Sequence, residues 1–229
     1  MKQFALCSLL LLGAARVLCS EPTPPAVAVP TADIVKVLLN QAAASAVSTL
    51  GRADGFMGDS EVRIPLPGKL QKASKTLRKL GASKQTDALQ LAMNRAAEAA
   101  MPEAREVLLD AIRQLDIADA AAIVSGPANA ATEYFRRTMS DQLAEKLLPV
   151  VDRTTADVQL ARQYEAVTAK ASALGVLDDK DISLEGYVSR KALDGLFVMM
   201  AREEAAIRSN PQGQIESLRQ QVFGTTATQ

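Results

Sequence analysis

From Ile34 to Phe223 apolar side chains recur every three or four residues, and Gly51 to Gly68 is the long break in that rhythm. A period near 3.6 commits a segment to amphipathic helix, because it gathers the apolar side chains on one stripe that must be buried. Ala, Leu, Lys, Gln, Glu and Arg dominate these segments, and these residues lose least on entering a helix. The period-two alternation of a strand is absent, apart from the short piece Val62 to Leu66. The expected fold is therefore all-α: a single multi-helix bundle-like domain of eight or nine helices, with one long irregular loop containing Pro and Gly. No cysteine follows Cys19, so the core has to hold without disulfides.

The first helix is expected from Asp33, burying Ile34, Val37, Leu38, Ala42, Val47 and Leu50. A second begins near Lys69 with Leu70, Ala73, Leu77 and Leu80 on one face. Ser83 opens a third, which Pro102 either kinks or divides into a third and a fourth. A helical turn at 117–124 precedes a helix over 128–148, and Pro149 is expected to interrupt the pattern before it resumes toward Leu174. The acidic run Asp178 to Glu185 suits a helix N-terminus, Tyr187 to Ser209 is the most apolar late helix, and Ile215, Leu218, Val222 and Phe223 mark a last one.

Lys2, the apolar run Phe4 to Ala15 and the sequence Val17-Leu18-Cys19-Ser20 form the three parts of an export signal, expected at residues 1–20. The run falls short of the roughly 20 apolar residues that span a bilayer, and no later stretch reaches that length. Cys19 stands where a lipid-modified cysteine would, but Leu18 is not the small residue that lipoprotein processing needs. Plain cleavage into the periplasm or beyond is expected, with lipoprotein anchoring at Cys19 as the alternative. Residues 21–32, with Pro22, Pro24, Pro25 and Pro30, read as a flexible leader. The domain is expected over 33–224 and a disordered tail over 225–229. Lys and Arg number 26 against 26 Asp and Glu, without the basic surplus of a general nucleic-acid binder.

The segments Val62-Arg63-Ile64-Pro65-Leu66-Pro67-Gly68, Met93-Asn94-Arg95-Ala96-Ala97-Glu98-Ala99-Ala100, Tyr134-Phe135-Arg136-Arg137-Thr138 and Lys191-Ala192-Leu193-Asp194-Gly195-Leu196-Phe197 resemble an uncharacterised bacterial family of exported helical proteins, a domain of unknown function. The resemblance spans Asp33 to Gly224. It implies an exported helical domain and brings no activity, ligand or catalytic residue.

The chemistry within reach is narrow. With no histidine, and no cysteine after Cys19, there is no imidazole base, no thiolate nucleophile and no His/Cys metal site, and no catalytic residue, metal or cofactor is assigned. Asp178 to Glu185 fails as a calcium loop: with Asp179 in first position, Leu184 stands where glycine is required and Arg190 where glutamate is. Three tyrosines and no tryptophan leave little aromatic surface for stacking sugars.

Two places remain as candidates. One is a ligand or partner surface made by the irregular loop and the basic helix after it: Phe56, Arg63, Ile64, Leu66, Lys72, Lys75 and Lys79. Arg63 would offer a guanidinium to an anion, and the lysines a cationic strip to lipid headgroups or another polyanion. The plain reading of the same residues is an apolar plug, its direction fixed by prolines, beside a solvated helix face. The other is a polar pocket of Asn94, Arg95, Glu98, Arg136, Arg137 and Asp194, for which the plain reading is salt bridges setting helix register. The reading that best fits is a non-enzymatic envelope protein that binds an anionic ligand or another envelope protein, with peripheral membrane contact open to it. The alternatives are a hydrolase or lyase using Glu98, Glu133, Asp141 or Asp194 on an envelope polymer, and a lipid carrier.

Overall fold

The apolar stripes become seven helices among residues 31–79, 83–118, 120–157, 160–173 and 183–210, the parts that the structure, a computed structural model, describes. They are α1 (Thr31–Leu50), α2 (Gly68–Lys79), α3 (Ser83–Gln114), α4 (Ala120–Ser125), α5 (Ala130–Asp157), α6 (Leu160–Ala173) and α7 (Leu184–Ser209). No strand occurs among the described residues: Val62 belongs to a turn, and Arg63 to Pro67 to no regular element. The protein is an all-α bundle. The expected last helix around Ile215 to Phe223 lies outside the described residues.

Neither proline breaks its helix, so the segments on either side of Pro102 are one helix rather than two. α3 runs through Pro102 and α5 through Pro149. A proline inside a helix costs about 3 kcal/mol, since it lacks the N–H and crowds the carbonyl one turn back. Each apolar stripe, however, continues across its proline. Ala96, Ala97, Ala100, Met101, Ala104 and Leu108 are all buried on α3, as are Leu143, Leu147, Val150 and Val151 on α5. A fully buried aliphatic side chain contributes about 1.5–3 kcal/mol, so the stripe outweighs the proline. Both prolines are exposed, and the carbonyl one turn before Pro149 belongs to exposed Glu145, where water can bond to it.

The other boundaries shift by a few residues. α1 starts at Thr31, inside the expected leader, with Asp33 in its first turn where the helix dipole favours an acid. α4 begins at Ala120 rather than near 117. α7 begins at Leu184, capped by the Ser183 hydroxyl accepting from Gly186 N at 3.1 Å, with Glu185 in its first turn.

α3 is the central element, packed against α1, α2, α5, α6 and α7, while α7 also covers α1 and α5. One buried cluster draws on these helices and on the α1–α2 loop. At its centre Phe135 of α5 and Phe197 of α7 meet edge to face, with ring centroids 6.1 Å apart. Thr154 of α5 ties to α3 through the Ala96 carbonyl at 3.0 Å. α2 packs on α3 and α6 at the periphery through Leu70, Ser74 and Leu77.

Candidate functional site

The α1–α2 loop owes its path to glycine and to one strained aspartate. Gly51 N closes α1 onto Val47 O at 2.8 Å. Asp54 takes φ of 64°, a left-handed conformation that Asp tolerates better than most residues. The next residue has to be glycine, because a Cβ on Gly55 would sit 2.4 Å from the Leu50 carbonyl oxygen. After this turn the chain drives Phe56, Val62, Ile64 and Leu66 into the core. Phe56, Ile64 and Leu66 are therefore a plug between α1, α3 and α7, and as folded they cannot form the outward ligand surface considered above. The physical reason is the proline-fixed direction of the segment together with the small residue Gly195 of α7, which makes room for the Phe56 ring. A Cβ there would lie 2.8 Å from Phe56 Cε1.

The plug's backbone lacks regular pairing, and polar side chains of α3 and α7 supply it. Asn94 treats Ile64 as a neighbouring strand would: its Oδ1 accepts from Ile64 N at 2.9 Å and its Nδ2 donates to Ile64 O at 3.0 Å. Glu98 Oε1 accepts from Phe56 N and Met57 N at 3.1 and 3.2 Å. Its other oxygen accepts from Arg95 Nη1 at 2.5 Å, and Arg95 reaches Asp54 at 2.8 Å. The bond to Glu98 raises the Arg95 pKa further above its ordinary value. From α7, Tyr187 donates its hydroxyl to Pro65 O at 3.0 Å, and burial pushes its phenol pKa up. Arg202 grips Asp59 at 2.6 Å and also pairs with Glu61. The Arg202 bond lowers the Asp59 pKa, with help from the Glu61 N–H.

The expected polar pocket is thus distributed. Asn94, Arg95 and Glu98 are committed to the loop. Asp194 lies in a groove between α5 and α7, where it pairs with Lys191 at 2.9 Å and with Arg136 at 3.6 Å, and Arg136 stacks over the Phe197 ring. Arg137 lines a separate groove beside α4 with Glu133. The four acids weighed for catalysis divide likewise: Glu98 under the loop, Glu133 beside α4, and Asp141 with Asp194 in the α5–α7 groove. Among the described residues no group of three metal-ligating side chains converges.

On the α2 surface the expectation and the structure meet differently. Lys72, Lys75 and Lys79 are exposed and lie on one face, opposite Leu70, Ser74 and Leu77. Arg78 pairs with Asp87, whereas Lys72, Lys75 and Lys79 form no ion pair among the described residues. Arg63 is exposed too, but its Nε turns back onto Met57 O at 2.7 Å.

Sequence reasoning missed the Arg202 clamp on Asp59 and Glu61, and it missed a second polar centre. Glu204 of α7 is fully buried and accepts from Ala131 N, Thr132 N and the Thr132 hydroxyl, capping the start of α5 from outside. Arg208, one turn on, holds Glu204 at 2.8 Å and donates to the Ile123 and Val124 carbonyls that end α4. The available signal was the i, i+4 Glu-Arg spacing at the end of an apolar helix, which on its own looks like a solvated pair.

A helical bundle closed by a loop that its own side chains clamp is the class this geometry defines. The chain belongs to the family described as protein of unknown function (DUF4197), which matches residues 30–224. Neither a curated protein nor a solved structure matches the chain significantly. No helix among the described residues is long and apolar enough to cross a membrane.

Proposed function

We propose that this protein is a non-enzymatic envelope component that binds an anionic surface through α2, after export directed by residues 1–20 and with residues 21–30 as the spacer. The observation that carries this reading is the row Lys72, Lys75 and Lys79, exposed and unpaired among the described residues on a helix without a single acidic side chain. The opposite face of α2 is anchored on α3 and α6, so the lysines project from a fixed support. No large apolar side chain stands among the three lysines on the outer face, so the contact is electrostatic rather than inserted. Near an anionic bilayer each lysine contributes about 1 kcal/mol, so three give an association of about a hundredfold, easily lost in salt. Arg63 is a weaker participant because its Nε is tied to the Met57 carbonyl of the loop.

Co-sedimentation with vesicles tests the reading. The mature chain should bind vesicles rich in phosphatidylglycerol, bind neutral phosphatidylcholine vesicles far less, and dissociate as salt rises. Reversing the charge at Lys72, Lys75 and Lys79 should abolish binding while leaving helicity and melting intact. Equal binding to neutral vesicles, or an undiminished triple variant, overturns it.

A further inference from the structure

The groove between α5 and α7 encloses about 380 Å³, at the lower end of small-ligand sites. Half of the polar side chains in its lining are already engaged. Asp194 is neutralised by Lys191 and Arg136, and the Tyr187 hydroxyl is spent on Pro65 O. Two charges are left over. Asp141 stands on the α5 wall and Arg190 on the α7 wall, both exposed, and neither has a hydrogen bond or ion pair with any described residue. They line the same concavity, yet no nitrogen of one comes within 4 Å of an oxygen of the other. Ala144 and Leu193 line the groove with them.

Unpaired surface charges are ordinary, because an exposed pair gains little. Opposite charges on the two walls of one groove, with aliphatic side chains in its lining and Asp194 already held by Lys191 and Arg136, are a more selective arrangement. An anion alone would leave Asp141 unpaired, and a cation alone would leave Arg190 unpaired. A molecule carrying both satisfies the two walls together. We propose that the α5–α7 groove binds a small zwitterion of amino-acid or short-peptide type, its ammonium on Asp141, its carboxylate on the Arg190 guanidinium, and its aliphatic part over Ala144 and Leu193. This site is independent of the α2 lysines.

Two-dimensional NMR titration tests it, using alanyl-alanine and the ω-amino acids from glycine to 6-aminohexanoic acid as probes. Saturable shifts at the amides of Asp141 and Arg190 are expected at millimolar concentration, strongest at the chain length that matches the gap. N-acetylation or esterification should each weaken binding about tenfold or more. Asp141→Asn should remove the penalty for acetylation only, and Arg190→Gln the penalty for esterification only. If no probe produces saturable shifts, if blocked probes bind as well as free ones, or if the variants keep both preferences, the proposal fails.

Discussion

A single amide side chain does the work of a missing strand at Ile64. Asn94 both accepts from and donates to that residue, and it also donates to Gln90 O at 2.7 Å. Asn94→Ala should destabilise the protein by about 1–3 kcal/mol, because it leaves the Ile64 N–H buried and unpaired and the Ile64 carbonyl with only the long bond from Gln90 Nε2 at 3.5 Å. Asn94→Asp should cost at least as much at neutral pH, since a carboxylate would face the Ile64 carbonyl where a donor stood. Urea denaturation of the two variants checks this; a loss below about 0.5 kcal/mol for either would mean that Ile64 is not held in this way. Asn94 was legible in the sequence as a polar residue on an alanine-rich helix. Its partner was not, because a hydrogen bond across 30 residues has no local signature.

At the scale of the element, the prolines show how packing overrides propensity. Pro102 and Pro149 are the strongest local breakers within their segments, and both helices continue because burial resumes in phase on the far side. Pro102→Ala should therefore raise stability by about 1–2 kcal/mol, less than the full helix penalty because the unfolded chain also gains freedom. Thermal unfolding measures it, and a lowered melting temperature would mean that the Pro102 ring itself contributes to packing. The same scale explains why Glu204 escaped notice. Its value lies in reaching the N-terminus of α5 while Arg208 reaches the end of α4, so that one i, i+4 pair on α7 joins three helices. Helix ends are visible in a sequence; which distant side chain caps them is not.

Across the whole molecule, the loop is clamped from two sides by groups that titrate at opposite ends of the pH scale. Asp59 has its pKa lowered by Arg202, so its contribution is complete above about pH 4 and is lost as the pH falls through the depressed value. Asp59 is partly exposed, which keeps the effect modest. Tyr187 has its pKa raised by burial, so its contribution is complete below about pH 10 and is lost as the pH rises through the elevated value. Amide resonances of the loop should change at both extremes before the helices unfold. Asp59→Asn should remove the acid step and Tyr187→Phe the alkaline one. If either variant keeps its step, that clamp is misassigned.

The sequence by itself determined the helices, because apolar period and residue preference are local properties that each segment carries with it. It also marked the one segment that could not be helical, since glycine and proline act on their own backbone. Tertiary structure decided the rest. Whether a proline ends a helix depends on burial beyond it. Whether Phe56, Ile64 and Leu66 face a partner or the core depends on the space left by Gly195 and on the hydrogen bonds offered by Asn94 and Glu98. Whether Arg95, Arg136 and Arg137 share a pocket depends on how α3, α5 and α7 are turned toward one another. Those are long-range packing relations, and the energy that fixes them comes from surfaces meeting across the fold rather than from any stretch of the chain.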